Sequence, residues 1–350
     1  MTVRVGIIGV GAMGAEHARI LRSSVAGVTV SAVADAAYDR AQAVAAETGA
    51  RSFRSAEELI ASPFVDAVLI ASPDSAHTAQ VSTCLDHKKP VLCEKPLAPT
   101  VAECEELIAR EESLNRGVPL ISVGFMRRFH PAYQDLKQQL REGSIGQPLL
   151  TRSSHRNVRS YPGGDSAATI TNSGVHDIDT TSWLLDSPIE SVSWHAPRST
   201  GLDPSRQDPQ VFLLRAANGV LSTVDVFLNA RYGYDVRCEI IGELGSIELA
   251  PHQGPIANRA LGRSQGYAED WIPVFNNAYR LQAQAWVDAI ASGRRAPLAT
   301  AQDGLNALRV AEALVQSMNG GGITVAVSNA TPSGNSLPGG TQGRNLSHVQ

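Results

Sequence analysis

Through about residue 123 the chain alternates short apolar runs with helical stretches. Val5 to Ile8, Val28 to Ala34, Asp66 to Ala71, Pro90 to Cys93 and Leu120 to Val123 read as buried strands. Between them lie Ala15 to Leu21, the Ala-rich Ala41 to Thr48, a segment opening at Ser55, and one starting near Ala76-His77. Ser55 has the position of an N-cap, with Glu58 three residues on. This βαβ rhythm predicts a parallel sheet with helices on its faces. From residue 124 polar and apolar positions alternate and tight turns join them, as in an antiparallel sheet with one covered face. Leu149 to Arg159 alternates, Val211 to Leu214 and Leu221 to Asn229 form a hairpin around Asn218-Gly219, and Tyr232 to Ile241 and Ser246 to Ala250 follow. Helices are expected at Pro131 to Arg141, Val175 to Leu185, Ala278 to Ser292 and Ala301 to Met318.

The first strand runs straight into Gly9-Val10-Gly11-Ala12-Met13-Gly14, a Gly-x-Gly-x-x-Gly turn leading into a helix. Gly9 permits the tight turn, Gly11 lets backbone approach a pyrophosphate, and Gly14 lets the helix pack close to the sheet. Phosphates then rest on the free N–H groups and positive dipole end of that helix. The second strand ends at Asp35, at the spacing the dinucleotide fingerprint requires. A carboxylate there accepts hydrogen bonds from ribose hydroxyls and repels a 2′-phosphate. No Arg or Lys follows directly, since the next residues are Ala36, Ala37 and Tyr38. The expected cofactor is therefore NAD rather than NADP.

The expected fold is α/β: an N-terminal Rossmann sheet, doubly wound and parallel, and a C-terminal α+β domain with a large, mostly antiparallel open sheet. The division expected is residues 1–123 for the NAD-binding domain, 124–330 for substrate binding and oligomerisation, and 331–350 as a disordered tail rich in Gly, Ser, Pro and Asn. Ligands of open parallel sheets bind at the carboxyl ends of the strands. The cofactor is thus expected along Gly9, Gly11, Ala12, Met13, Gly14, Asp35, Ser72, Pro73, His77, Glu94 and Lys95.

The 350 residues suit two domains, and 43% hydrophobic content suffices for substantial cores. A net charge of −4 without a long basic run gives little support for nucleic-acid binding. Cys84, Cys93, Cys104 and Cys238 lack metal-ligand spacing, so no metal is expected and a reducing cytoplasm fits. No apolar stretch approaches membrane-spanning length, and no signal peptide is expected.

Lys95 ends a strand between Glu94 and Pro96, and the following proline holds it extended. That fixes an ammonium in place, although a surface lysine beside a rigid turn would read the same way. His176 lies in Asn172-Ser173-Gly174-Val175-His176-Asp177-Ile178-Asp179, where a helix puts residues 172 and 176 on one face. Such an imidazole can take a hydroxyl proton near neutral pH, or can be a structural, hydrogen-bonded histidine. His155 and Asn157 are two apart on a strand and point the same way, as do Tyr232 and Tyr234. Asp235, Arg237 and Glu239 occupy the opposite, solvated side of the Tyr strand.

From Val5 to about Val327 the chain resembles the Gfo/Idh/MocA family of two-domain oxidoreductases. The matching motifs are Gly9 to Gly14, Glu94-Lys95-Pro96, Gly124-Phe125-Met126-Arg127-Arg128-Phe129 and Gly174 to Asp179. His155-Arg156-Asn157 and Arg231-Tyr232-Gly233-Tyr234-Asp235-Val236 are most similar to the inositol 2-dehydrogenases within it. The resemblance implies that Lys95 hydrogen-bonds the reacting hydroxyl and joins a proton relay, that Lys95–Pro96 is cis, and that His176 is the general base. It implies a polyol site of Lys95, Met126, Arg127, His155, Asn157, Asn172, His176, Tyr232 and Tyr234. Relatives pair through the open face of the second sheet, which implies a homodimer or homotetramer. One departure stands out: inositol dehydrogenases carry an Asp four residues before the catalytic His, and here that residue is Asn172. Asn carries no charge, so the relay is expected to be less basic. Asp177 is rotated about 100° from His176 on a helix and is not expected to substitute.

These readings converge on NAD-dependent oxidation of a secondary hydroxyl of a cyclic polyol, myo-inositol or a related cyclitol. The alternatives are an aldose or deoxysugar dehydrogenase of the same family, and a non-catalytic regulator that senses NAD or sugar.

Overall fold

The computed structural model describes residues 2–249 and 256–328. The expected tail at 331–350, and Ala250 at the end of an expected strand, lie outside the described residues. Six strands form the first sheet: β1 (Val3–Ile8), β2 (Val28–Ala34), β3 (Arg51–Phe53), β4 (Ala67–Ile70), β5 (Val91–Cys93) and β6 (Ile121–Val123). All are parallel, in the order β3-β2-β1-β4-β5-β6. The order reverses at β1, so a crevice opens at the carboxyl ends of β1 and β4, where α/β sheets take ligands. Helices α1 (Ala12–Ser24), α2 (Tyr38–Thr48), α3 (Ala56–Ala61), α4 (His77–Asp86) and α5 (Val101–Ser113) connect the strands. Ser55 caps α3 by accepting from Glu58 N–H at 3.1 Å.

The second sheet has seven strands: β7 (Pro148–Arg156), β8 (Ile189–His195), β9 (Gln210–Ala216), β10 (Leu221–Phe227), β11 (Asp235–Gly242), β12 (Ser246–Glu248) and, after a separate hairpin of β13 (Ile256–Arg259) and β14 (Gly262–Gln265), β15 (Val325–Ala326). Their order is β12-β11-β7-β10-β9-β8-β15. Every pairing is antiparallel except β7 with β10. The helices of this part are α6 (Pro131–Arg141), the single turn α7 (Ser166–Ala168), α8 (Val175–Leu185), α9 (Trp271–Ser292) and α10 (Ala301–Asn319).

β3, α5, α7, β8, β13, β14 and β15 are additional to the expected pattern, and two expected elements change in ways that move candidate residues. The strand expected from Tyr232 begins at Asp235, because Arg231 (φ 67°) and Gly233 (φ 155°) turn the chain before it. Tyr232 and Tyr234 therefore do not share a side: Tyr232 is half-exposed and Tyr234 is buried. Asp235, expected in solvent, is buried as well. Helix α9 starts at Trp271 rather than Ala278. Asp270 caps it by accepting from Ile272 N–H at 2.9 Å, and Pro273 is harmless in a first turn.

Both long C-terminal helices return to the first sheet. Trp286, Ala283 and Val287 of α9 pack with Val5, Ile7 and Val33 in one buried core. Leu305, Leu308 and Val310 of α10 pack with Val123 and Leu107 on one side and with Phe212 and Leu214 on the other.

Candidate active site at the strand ends

Gly9 sits at φ +80°, and a Cβ there would meet Ser72 N at 2.4 Å. A Cβ on Gly14 would lie 1.8 Å from the Gly9 carbonyl, so only glycine lets α1 start this close to β1. At Gly11 the space is open, and the nearest atom a Cβ would meet is Arg40 Nη1 at 3.8 Å. Gly11 is the N-cap of α1, and no side chain among the described residues caps that terminus. The result is a crevice of about 590 Å³ lined by Gly9, Gly11, Asp35, Ser72 and Pro73 among others. Asp35 is fixed by Val10 N–H on one oxygen (2.9 Å) and Ala37 N–H on the other (2.8 Å). Although no basic residue follows Asp35 directly, the first turn of α2 places Arg40 Nη2 3.5 Å from its carboxylate. A glycine-walled turn, an uncapped helix N-terminus and an anchored carboxylate at the end of β2 together fit a dinucleotide. His77, expected along the cofactor, is instead buried as a brace. Its Nδ1 lies 2.7 Å from the Pro96 carbonyl and its Nε2 3.0 Å from that of Ser72, so it ties two loops of the crevice together.

A second cavity of about 300 Å³ brings together Met13 of α1 and Glu94 and Lys95 just past β5 with Met126, His155, Asn157, Asn172, His176 and Tyr234. Tyr161, Ser173, Trp271 and Tyr279 complete its wall. The sequence pattern singles out none of these four. Trp271 escapes it because apolar periodicity starts α9 late, and the Asp270 cap is the signal that locates the true start; Tyr279 lies inside the expected helix, where nothing local marks it as part of a wall.

The Lys95–Pro96 bond is cis. Lys95 Nζ donates to the main-chain carbonyl of Asn172 at 2.9 Å. That carbonyl belongs to a π-helical turn, Thr169–Gly174, that runs into α8, and such wide turns recur at functional sites. Burial lowers the Lys95 pKa from 10.5, against the opposing charges of Glu94 and Asp74. His176 is held well below 6.5 by burial first, then by the charges of Lys95, Arg127 and His155. It is a neutral imidazole at neutral pH. Its Nδ1 is enclosed without a partner, which leaves Nε2 as the atom that can serve the cavity. Burial pushes the Tyr234 hydroxyl up to about 12, so it remains a donor. Glu94 is paired with buried His17 of α1 at 2.7 Å.

Two residues expected at the polyol lie elsewhere. Arg127 is 1% exposed and sits behind the cavity wall, donating to Asp177 at 2.6 Å. Tyr232 turns outward, donating to Asp235 at 2.9 Å and packing edge-on against Tyr267.

The sequence pattern described as the oxidoreductase family's NAD-binding Rossmann fold matches residues 3–125, and that of its C-terminal alpha/beta domain matches 137–327. The chain belongs to the Gfo/Idh/MocA oxidoreductase family. It is 44% identical to inositol 2-dehydrogenase 2 of Paenarthrobacter aurescens over 94% of this chain and 99% of that one. It is 46% identical to inositol 2-dehydrogenase 2 of Saccharopolyspora erythraea over 91% and 94%. Among solved structures, myo-inositol dehydrogenase from Lactobacillus casei in complex with NAD(H) and myo-inositol superposes with a TM-score of 0.90 at 33% identity, covering 95% of this chain and 99% of that one. The family's NAD-binding domain thus coincides with the crevice whose residues fit a dinucleotide, and NAD is the cofactor.

Proposed function

We propose that this chain oxidises a secondary hydroxyl of a cyclic polyol, an inositol or a close cyclitol, to the ketone. NAD, when bound, supplies a two-electron hydride acceptor. The observation that carries the reading is the convergence of Lys95 from the first sheet and His176 from α8 on one cavity beside the dinucleotide crevice. Lys95 is anchored by the Asn172 carbonyl and donates a further N–H to the substrate oxygen, stabilising negative charge as the hydroxyl loses its proton. His176, neutral in its buried site, receives that proton. Asn157, Asn172, His155 and Tyr234 offer mixed donors and acceptors to the remaining hydroxyls. Among the described residues no arginine lines the cavity, which favours a neutral polyol over a phosphorylated or acidic one.

Asn172, where the family resemblance implies an Asp, favours a second reading: an aldose or deoxysugar substrate in the same site. We also place residues 1–123 as the cofactor domain and 124–330 as the substrate domain. Copies of the chain pair through the outer face of the second sheet, which carries Arg152, Thr223, Arg237 and Glu239 without a covering helix among the described residues. Four buried free cysteines support a cytoplasmic setting. No helix among the described residues is long and apolar enough to cross a membrane.

The test is NADH absorbance with NAD and a panel of inositols and aldoses. An inositol turned over best supports the proposal, and an aldose turned over best replaces it with the second reading. NAD binding with no turnover of any would identify a regulator instead.

A further inference from the structure

One buried charge network beside the cavity has no part in the proton transfer above. Arg127 Nη1 donates to Asp177 Oδ1 at 2.6 Å, and His155 Nδ1 lies 3.0 Å from Asp177 Oδ2. Arg127 Nη2 is 3.2 Å from the same Nδ1. All three residues are less than 5% exposed. A buried ion pair is weak evidence for stability, because desolvation offsets most of its attraction. The network does, however, have an outlet. His155 lines the cavity, its Nδ1 faces the network, and its Nε2 is the ring nitrogen left for a ligand.

The two contacts at Nδ1 demand opposite tautomers. If Nδ1 carries the proton it donates to Asp177, and Nε2 is a bare acceptor. If Nδ1 accepts from Arg127, Nε2–H is a donor. The carboxylate contact is the shorter one, and a bare nitrogen lone pair 3.0 Å from a carboxylate oxygen would be repelled. Arg127 and His155 hold Asp177 below the usual carboxylate range, so its charge is present. A hydrogen bond to an ionised acceptor is roughly twice as strong as a neutral one. Burial keeps His155 itself neutral by lowering its pKa from 6.5.

We propose that Arg127 and Asp177 are positioning residues that hold His155 as its Nδ1–H tautomer, so that Nε2 is an obligate acceptor and the cavity selects polyols with a free O–H at that point. The substrate class is an unsubstituted cyclitol, and an O-methyl ether at the facing position is excluded. The two cavity histidines thereby divide the work. Among the described residues His176 has no carboxylate partner and is free to take a proton, whereas His155 is locked and reads a hydroxyl. The proposal rests on the cyclitol reading for its substrate, but its first test needs no substrate.

That test is a long-range ¹⁵N–¹H spectrum of the full chain labelled at histidine, with the His155 signals identified by their loss in His155→Gln. The expected pattern is a protonated Nδ1 and a bare Nε2, moving toward the opposite tautomer in Asp177→Asn. A protonated Nε2 in the native protein overturns the proposal. The second test takes the inositol turned over best and its mono-O-methyl ethers. The native enzyme should disfavour one ether by at least about tenfold in kcat/KM. His155→Gln, whose amide can turn an N–H toward the ether oxygen, should raise KM for the parent more than it lowers kcat and erase that discrimination. Unchanged KM, or discrimination that survives in His155→Gln, overturns it. Asp177→Asn strips buried Arg127 of its counter-charge; should it fail to fold, the native spectrum and His155→Gln still decide. If no cyclitol is oxidised, the cyclitol reading fails while the tautomer result stands on its own.

Discussion

Gly11 and Gly14 are three residues apart in the same turn, and alanine at each should fail in a different way. A Gly14 Cβ would lie 1.8 Å from the Gly9 carbonyl oxygen. Ordinary C···O contact begins near 3.3 Å, so α1 must retreat from β1 by about 1.5 Å. Overpacking of this kind costs roughly 1–3 kcal/mol, and misplacement near 1 Å lowers activity about a hundredfold. Gly14→Ala should therefore lose both thermal stability and NADH affinity. At Gly11 the backbone is extended (φ −67°, ψ −158°) and a Cβ would meet nothing closer than Arg40 Nη1 at 3.8 Å. Gly11→Ala should melt like the native protein, yet it puts a methyl group where the pyrophosphate must approach. Its NADH affinity should fall at least about tenfold, or roughly 1.4 kcal/mol. The assays are differential scanning calorimetry and NADH fluorescence titration on the two variants. Native NADH affinity in Gly11→Ala would refute the placement of the pyrophosphate on this turn, and native stability in Gly14→Ala would refute the packing argument.

Lys95→Ala and His176→Ala should each lower kcat by about 10²–10⁴-fold while NADH titrations stay near native; loss of NADH binding in either would mean the site is misplaced. Asn172→Asp adds an anion beside Lys95 and His176, so it should raise turnover of myo-inositol and move the limbs of the kcat/KM pH profile upward; an unmoved profile counts against the relay. His176 and His155 are buried with pKa values below 6.5, so the unfolded chain binds protons that the fold refuses. Stability should be full above about pH 6.5 and fall as pH drops below it, whereas a melting temperature flat between about pH 8 and 5 would show that those rings are not buried neutral. Asp35→Ala should weaken NAD and narrow its advantage over NADP, measured as the ratio of the two kcat/KM values; an unchanged ratio would move coenzyme choice away from this carboxylate.

The parts of the structure legible in the sequence are those that local chemistry dictates. Gly9 to Gly14, the Ser55 cap and the Asn218-Gly219 turn each announce a conformation within a few residues, and each folds as read. Lys95 is legible for the same reason, since proline fixes the residue before it. What is not legible depends on neighbours distant in the chain. Arg127 looks like a ligand in Gly-Phe-Met-Arg-Arg-Phe, but Asp177, fifty residues on, draws it behind the wall. The Tyr232/Tyr234 alternation reads as a strand until Gly233, whose φ no pattern of polarity reveals, turns it. Arg40 reaches Asp35 only because a helix turn intervenes. His77 reads as a cofactor residue from its place just after Ser72-Pro73, yet it braces two loops instead.

The return of α9 to the first sheet has a bearing on how the molecule can be divided. Trp286 is 1% exposed against strands that precede it by more than two hundred residues, and truncating such a side chain typically forfeits about 3–5 kcal/mol. A fragment cut after residue 125 would bare the surface that Trp286, Val287 and Leu298 now cover, even though its own sheet is whole. Anyone excising the nucleotide module for transplantation into another enzyme would have to carry the distal helix along, as a separate peptide or by rejoining the termini. The two lobes are in this sense one cooperative body, sharing a core that neither completes alone.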